Sequence, residues 1–106
     1  MTINDYQKKC VAQLPKYLYR GDEALMSLMS LNGTAGNCIE LYKKTLYEGA
    51  ELPQEALVKA LSQGIFSIAV AAHAFDVDLE SIFKKSVEAI NEAETKTKSD
   101  SGDNNN

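Results

Sequence analysis

Apolar residues recur along this chain at spacings of three and four and nowhere in strict alternation, a pattern that predicts helices and no strands. Ile3, Tyr6, Cys10 and Leu14 mark a first helix, which Pro15 discourages from continuing. From Asp22, a side chain suited to capping, Ala24, Leu25, Leu28 and Leu31 begin a second stripe that resumes at Cys38, Ile39, Tyr42 and Leu46. Between its halves lies Asn32-Gly-Thr-Ala-Gly-Asn37. Each glycine there weakens a helix by about 1 kcal/mol relative to alanine. The pair therefore either breaks the helix or serves close backbone approach.

Gly49 closes the second segment, and Pro53 with Glu55 opens a third helix whose stripe is Leu57, Leu61, Ile65, Ile68 and Phe75. From Ile65 to Ala74 that helix is apolar on nearly every face, with Ala69, Ala71, Ala72 and Ala74 offering small contact surfaces, so it is expected to be the central, most buried one. Asp78 is placed to cap a fourth helix carrying Leu79, Ile82, Phe83, Val87 and Ile90. Beyond Glu94 no apolar side chain remains to offset the entropy of ordering the backbone, and a disordered polar tail over residues 95–106 is expected. The expected fold class is all-α, a bundle of about four helices spanning residues 1–94.

Composition narrows the function classes. With 106 residues, 44% hydrophobic and 25% charged, the chain suits a single soluble domain, small enough that association with copies of itself would help bury apolar surface. The net charge of -4 falls entirely on residues 1–94, because the tail balances two Lys against two Asp. That argues against a nucleic-acid partner, whose phosphates want a basic face. No run approaches the roughly 20 apolar residues of a membrane span, and Met1-Thr-Ile-Asn-Asp5 lacks the basic start and apolar run of a signal peptide. A cytoplasmic protein with no membrane partner is the expectation. Cys10 and Cys38 lack a second Cys or His at ligand spacing and read as reduced thiols. His73 stands alone and reads as structural. Tyr6, Tyr17, Tyr19, Tyr42 and Tyr47 suit a core or an interface better than base stacking.

Three segments in fixed order carry a family likeness: residues 24–44 around Gly33-Thr-Ala-Gly36, residues 57–69 around Leu61-Ser-Gln-Gly-Ile65, and Phe75-Asp-Val-Asp-Leu-Glu-Ser-Ile82. Together, over roughly residues 3 to 92, they resemble the MazG-type all-α nucleoside triphosphate pyrophosphohydrolases. The resemblance implies a helical bundle completed by homo-oligomerisation, as dimers or tetramers. It also implies magnesium held by Glu-x-x-Glu on one helix and Glu-x-x-Asp on the next, where residues three apart share a face. In this chain the matching positions are Thr34, Asn37, Ala60 and Gln63, all neutral. Magnesium prefers anionic oxygens, so neither a metal, nor another cofactor, nor catalysis is expected. Near the end of the last helix, the family's substrate-contacting Asn and Lys match Ser86 and Ala89. Glu40 persists beside Lys43 and Lys44, and reads as a solvated helix residue pairing along its own helix.

The reading that follows is a catalytically inactive protein that sequesters a nucleotide or nucleotide-derived small molecule, with Thr34, Asn37, Gln63, Ser67 and Ser86 as ligand-binding candidates. Losing carboxylates also removes repulsion toward phosphates, which makes binding without metal conceivable. The alternative is a protein-protein interaction module, an inhibitor or adaptor of bacterial or phage origin. An active pyrophosphohydrolase with a shifted metal site stands third.

Overall fold

The chain enters its first helix through a capping box: Thr2 Oγ1 accepts from the Asp5 amide at 3.0 Å, and Asp5 Oδ2 accepts from the Thr2 amide at 3.0 Å. The computed structural model describes residues 1–16 and 19–104, the last six of these by their backbone, so Tyr17 lies outside it. Four helices make up the fold: α1 (Ile3–Val11), α2 (Arg20–Glu48), α3 (Gln54–Ala74) and α4 (Leu79–Asn104). No strand occurs among the described residues. The architecture is all-α, as the periodicity predicts.

α1 ends at Val11, three residues short of the expected Leu14, and turns from there into Pro15. α2 begins two residues before Asp22, with Tyr19 at its N-cap and Asp22 inside the first turn, where its charge favours the helix dipole. The glycine-rich stretch does not break it. α2 runs unbroken for 29 residues, and the packing of its seam against α3 outweighs the roughly 2 kcal/mol that two glycines cost. Gly49 ends it in the left-handed region, φ 71°, and the following Ala50 amide donates to the Lys44 carbonyl.

α2 and α3 form an antiparallel hairpin, with Ser30 opposite Ser67 and Thr34 opposite Gly64, and α1 packs on α3. α3 is the central helix, as expected, holding most of the buried residues. By length and composition it could also cross a membrane; here it is packed between α1 and α2. The surface it buries differs from the predicted stripe. Ala60, Gly64, Ser67 and Ala71 form the seam with α2, while Leu61 and Ile65 stand 60% and 50% exposed and Val58 and Ile68 accompany them. α2 repeats this: its seam is Ser27, Leu31, Thr34, Cys38 and Leu41, and Leu25, Leu28, Ile39, Tyr42 and Leu46 of the predicted stripe are exposed. Each helix therefore carries two adjacent heptad stripes, one covered and one bare.

The buried core is correspondingly small: Cys10, Ala69, Val70 and Leu79, flanked by Ile3, Tyr6, Leu14 and Phe66. At its centre the buried Gln7 donates from Nε2 to the carbonyls of Ala69 and Val77, both at 3.1 Å, and accepts at Oε1 from the Leu79 amide at 3.0 Å. One side chain thus joins α1, the end of α3 and the start of α4. Asn4 adds a second clasp, accepting from the Glu80 amide at 3.1 Å. Asp78 caps α4 as predicted, taking the Ser81 amide at 3.1 Å. α4 continues as a helix past residue 94 to Asn104, with residues 91–98 exposed throughout.

Candidate functional site

Five polar residues, Glu23, Ser27, Ser30, Thr34 and Asn37, follow one another on α2 at alternating spacings of four and three, so they line one strip along the edge of the seam and share Ser27 and Thr34 with it. On α3 the facing strip is Gln63, Phe66, Ser67 and Val70. At the end nearest α1 the two strips part around a cavity of about 150 Å³. Leu14 and Pro15, Met26, Phe66 and Val70 form its apolar walls, and Glu23, Ser27, Ser30 and Ser67 complete the lining with scarcely any polar surface open to it. Ser67, buried, and Ser30 share a hydroxyl hydrogen bond of 3.0 Å. The Ser27 hydroxyl is spent on the Glu23 and Ala24 carbonyls of its own helix.

Glu23 differs from the rest. Its Oε2 is buried and has no hydrogen-bond partner among the described residues, a condition that costs about 1–3 kcal/mol unless a donor arrives. Further along α2 the strips continue as a polar shelf of Thr34, Asn37 and, on α3, Gln63. Thr34 is half-buried with its methyl against Gly64, where a Cβ would come within 3.5 Å of it. Asn37 and Gln63 are exposed on the same side, and Lys59, one turn before Gln63, makes no ion pair among the described residues.

The sequence-predicted candidates are therefore partly gathered. Thr34, Asn37, Gln63 and Ser67 share one groove, with Ser67 alone lining the cavity. Ser86 is not brought to them: it is exposed on α4, which makes no contact with α2. Sequence reasoning missed Glu23, Ser30, Met26 and Phe66. The signal that could have found two of them, Glu23 and Ser30, is the polar heptad stripe beginning at Glu23, which lies in the shadow of the apolar one.

The magnesium site that the resemblance implies does not fit these residues. Ala60 is buried and offers no donor, the Thr34 methyl is turned to Gly64, and no three His, Cys, Asp or Glu side chains converge among the described residues. His73 contributes its backbone carbonyl to Arg20, whose Nη1 also pairs with Asp76 at 2.7 Å. No protein family model, curated protein or solved structure matches the chain.

Proposed function

We propose that this protein is a catalytically inactive MazG-like protein that binds and withholds a nucleotide or nucleotide-derived small molecule. The observations that support the reading are a ring-sized apolar cavity and, in its lining, Glu23 with a buried carboxylate oxygen that has no partner among the described residues. A cavity of about 150 Å³ accommodates a benzene-sized ring. Phe66 and Met26 offer the soft, flat contacts a base prefers. An N–H on the ring edge satisfies Glu23 and removes the cost of its orphaned oxygen.

Ser30 to Asn37 spans about 10 Å along the helix, so a sugar and phosphate attached to that ring reach the shelf. Thr34, Asn37 and Gln63 are neutral donors there and Lys59 lies one turn before Gln63 on α3, a set that holds a phosphate without metal. Glu23 repels phosphate at the other end, which fixes the direction in which such a ligand lies. Nothing on the shelf can generate hydroxide or polarise a phosphoryl bond as a metal ion does, so the bound molecule is kept intact.

The test is thermal unfolding with a panel of nucleobases, nucleosides, mononucleotides and cyclic dinucleotides, with Glu23→Gln beside the natural protein. A ligand at 100 times its Kd raises stability by about 2.7 kcal/mol, several degrees for a domain of this size. Stabilisation by at least one member, reduced in Glu23→Gln, supports the reading; none across the panel sinks it. We also read the chain as a cytoplasmic subunit of a homo-oligomer, a dimer or tetramer. The second function, an interaction module for a foreign protein, has in its favour only the bare apolar stripes.

A further inference from the structure

We propose that the bare stripes of α2 and α3 form one continuous face that packs on the same face of a second copy, completing a four-helix bundle. This rests on the self-association stated above and is independent of the ligand. On each helix the bare stripe follows the seam stripe by one residue, about 100° around the axis. In an antiparallel pair the helices run oppositely and meet from opposite sides, so that same rotation turns both bare stripes toward the same side of the hairpin. The groove with the cavity lies on the other side.

Neither stripe holds a charged residue: between Leu25 and Leu46 it continues through Asn32 and Ala35, and between Val58 and Phe75 it is interrupted by Ala72, which is already buried within the chain. A two-fold interface sets a patch against itself, and an uncharged one meets no like-charge penalty there. The areas require such cover. The chain exposes 8164 Å², where a compact monomer of its mass exposes about 5,800 Å², and its radius of gyration is 18.3 Å against about 13 Å. α4, exposed from Glu80 to Lys98, shares in that excess; on α2 and α3 the excess lies along this face, where Leu25, Ile39, Leu46, Val58 and Leu61 are each more than half exposed, and a standard interface covers approximately 800 Å² on each partner.

Bulk along the face sets the pairing. Ser30 bonds Ser67 and Thr34 touches Gly64, so Leu61 and Ile65 of α3 lie level with Ala35 and Asn32 of α2. A two-fold axis parallel to the helices preserves level and sets α3 over the partner's α2. The bulky middle of α3 then fills the low middle of α2, the large-into-small fit that close packing needs.

Sedimentation of the natural protein should give about twice 11.6 kDa, or four copies built from such pairs. Leu61→Glu with Ile65→Glu should bring the mass down to one chain, whereas Lys59→Glu, on the groove side, should leave it unchanged. In a Cys38→Ser background, Ala35→Cys together with Leu61→Cys should form disulfide-linked dimers on oxidation, and neither substitution alone should. A single-chain mass for the natural protein at 100 µM overturns both the self-association and this face. An oligomer indifferent to the two glutamates overturns the face alone, and cross-linking by Ala35→Cys alone overturns the pairing.

Discussion

Gln7→Ala removes the side chain that joins three helices, and its cost can be worked from the contacts. Gln7 is buried and makes three hydrogen bonds, two donated to the Ala69 and Val77 carbonyls and one accepted from the Leu79 amide. Each is worth about 1 kcal/mol net, and the groups left behind are backbone atoms that water reaches poorly, which raises the figure toward 1–3 kcal/mol apiece. A loss of about 3–5 kcal/mol follows, a large part of the roughly 5–15 kcal/mol that holds a domain of this size. Urea unfolding followed by helical circular dichroism should show the midpoint falling with little change of slope. Gln7→Glu sharpens the test. Its carboxylate keeps the bond from the Leu79 amide but faces two carbonyls with a negative oxygen, so that variant should gain stability as pH falls and the group takes up a proton. A loss below 1 kcal/mol for Gln7→Ala would refute the clasp.

Asp76 sits in the left-handed region, φ 60°, where its amide and that of Val77 close the end of α3 onto the His73 and Ala72 carbonyls. Asp76→Ala should destabilise by about 1–2 kcal/mol, whereas Asp76→Gly should be near neutral, because relief of the backbone offsets loss of an exposed Arg20 pair worth at most about 1 kcal/mol; thermal melts of the two variants decide it. The Asp78 carboxyl is held below the usual aspartate range by the Ser81 hydroxyl and amide, and Asp5 by the Thr2 amide and hydroxyl. Depressed acids stabilise above their unfolded value, near 3.9, and that stability is lost as pH falls through the folded values, so the urea midpoint should drop below about pH 4 and drop less in Asp78→Asn. Burial, with the Cys10 thiol beside it, pushes the Tyr6 hydroxyl up to about 12. Its contribution is complete below pH 10 and is lost as pH rises through 12, and ultraviolet titration should show one late phenol that Tyr6→Phe abolishes.

Much of the fold is legible in the sequence because local signals agree. Asp78 before Leu79, Ile82 and Phe83 states the start of α4 twice, by cap and by stripe, and Gly49 marks an end that only a left-handed residue makes easily. The glycines at 33 and 36 mislead because their cost is local while the packing that outweighs it is not. The stripes mislead more. Leu61 and Ile65 look like the buried face of α3 by hydropathy, but within one chain the seam takes the smaller Ala60, Gly64 and Ser67, which allow close helix approach. The site is legible only where the resemblance points to it. Ser67 falls in the lining of the cavity and Thr34 in the seam beside it, whereas Glu23 reads as an ordinary first-turn acid until the turn after α1 places Leu14 and Pro15 in the same lining.

The central claim, that a nucleotide-like molecule is held intact in the groove between α2 and α3, is tested most directly by native mass spectrometry of protein taken from cells and then mixed with a nucleotide panel. The account predicts an added mass of one small molecule per site, unchanged on incubation and lost in Glu23→Gln. A bare protein that gains no mass from any member of the panel, or one that releases a cleaved product, contradicts it.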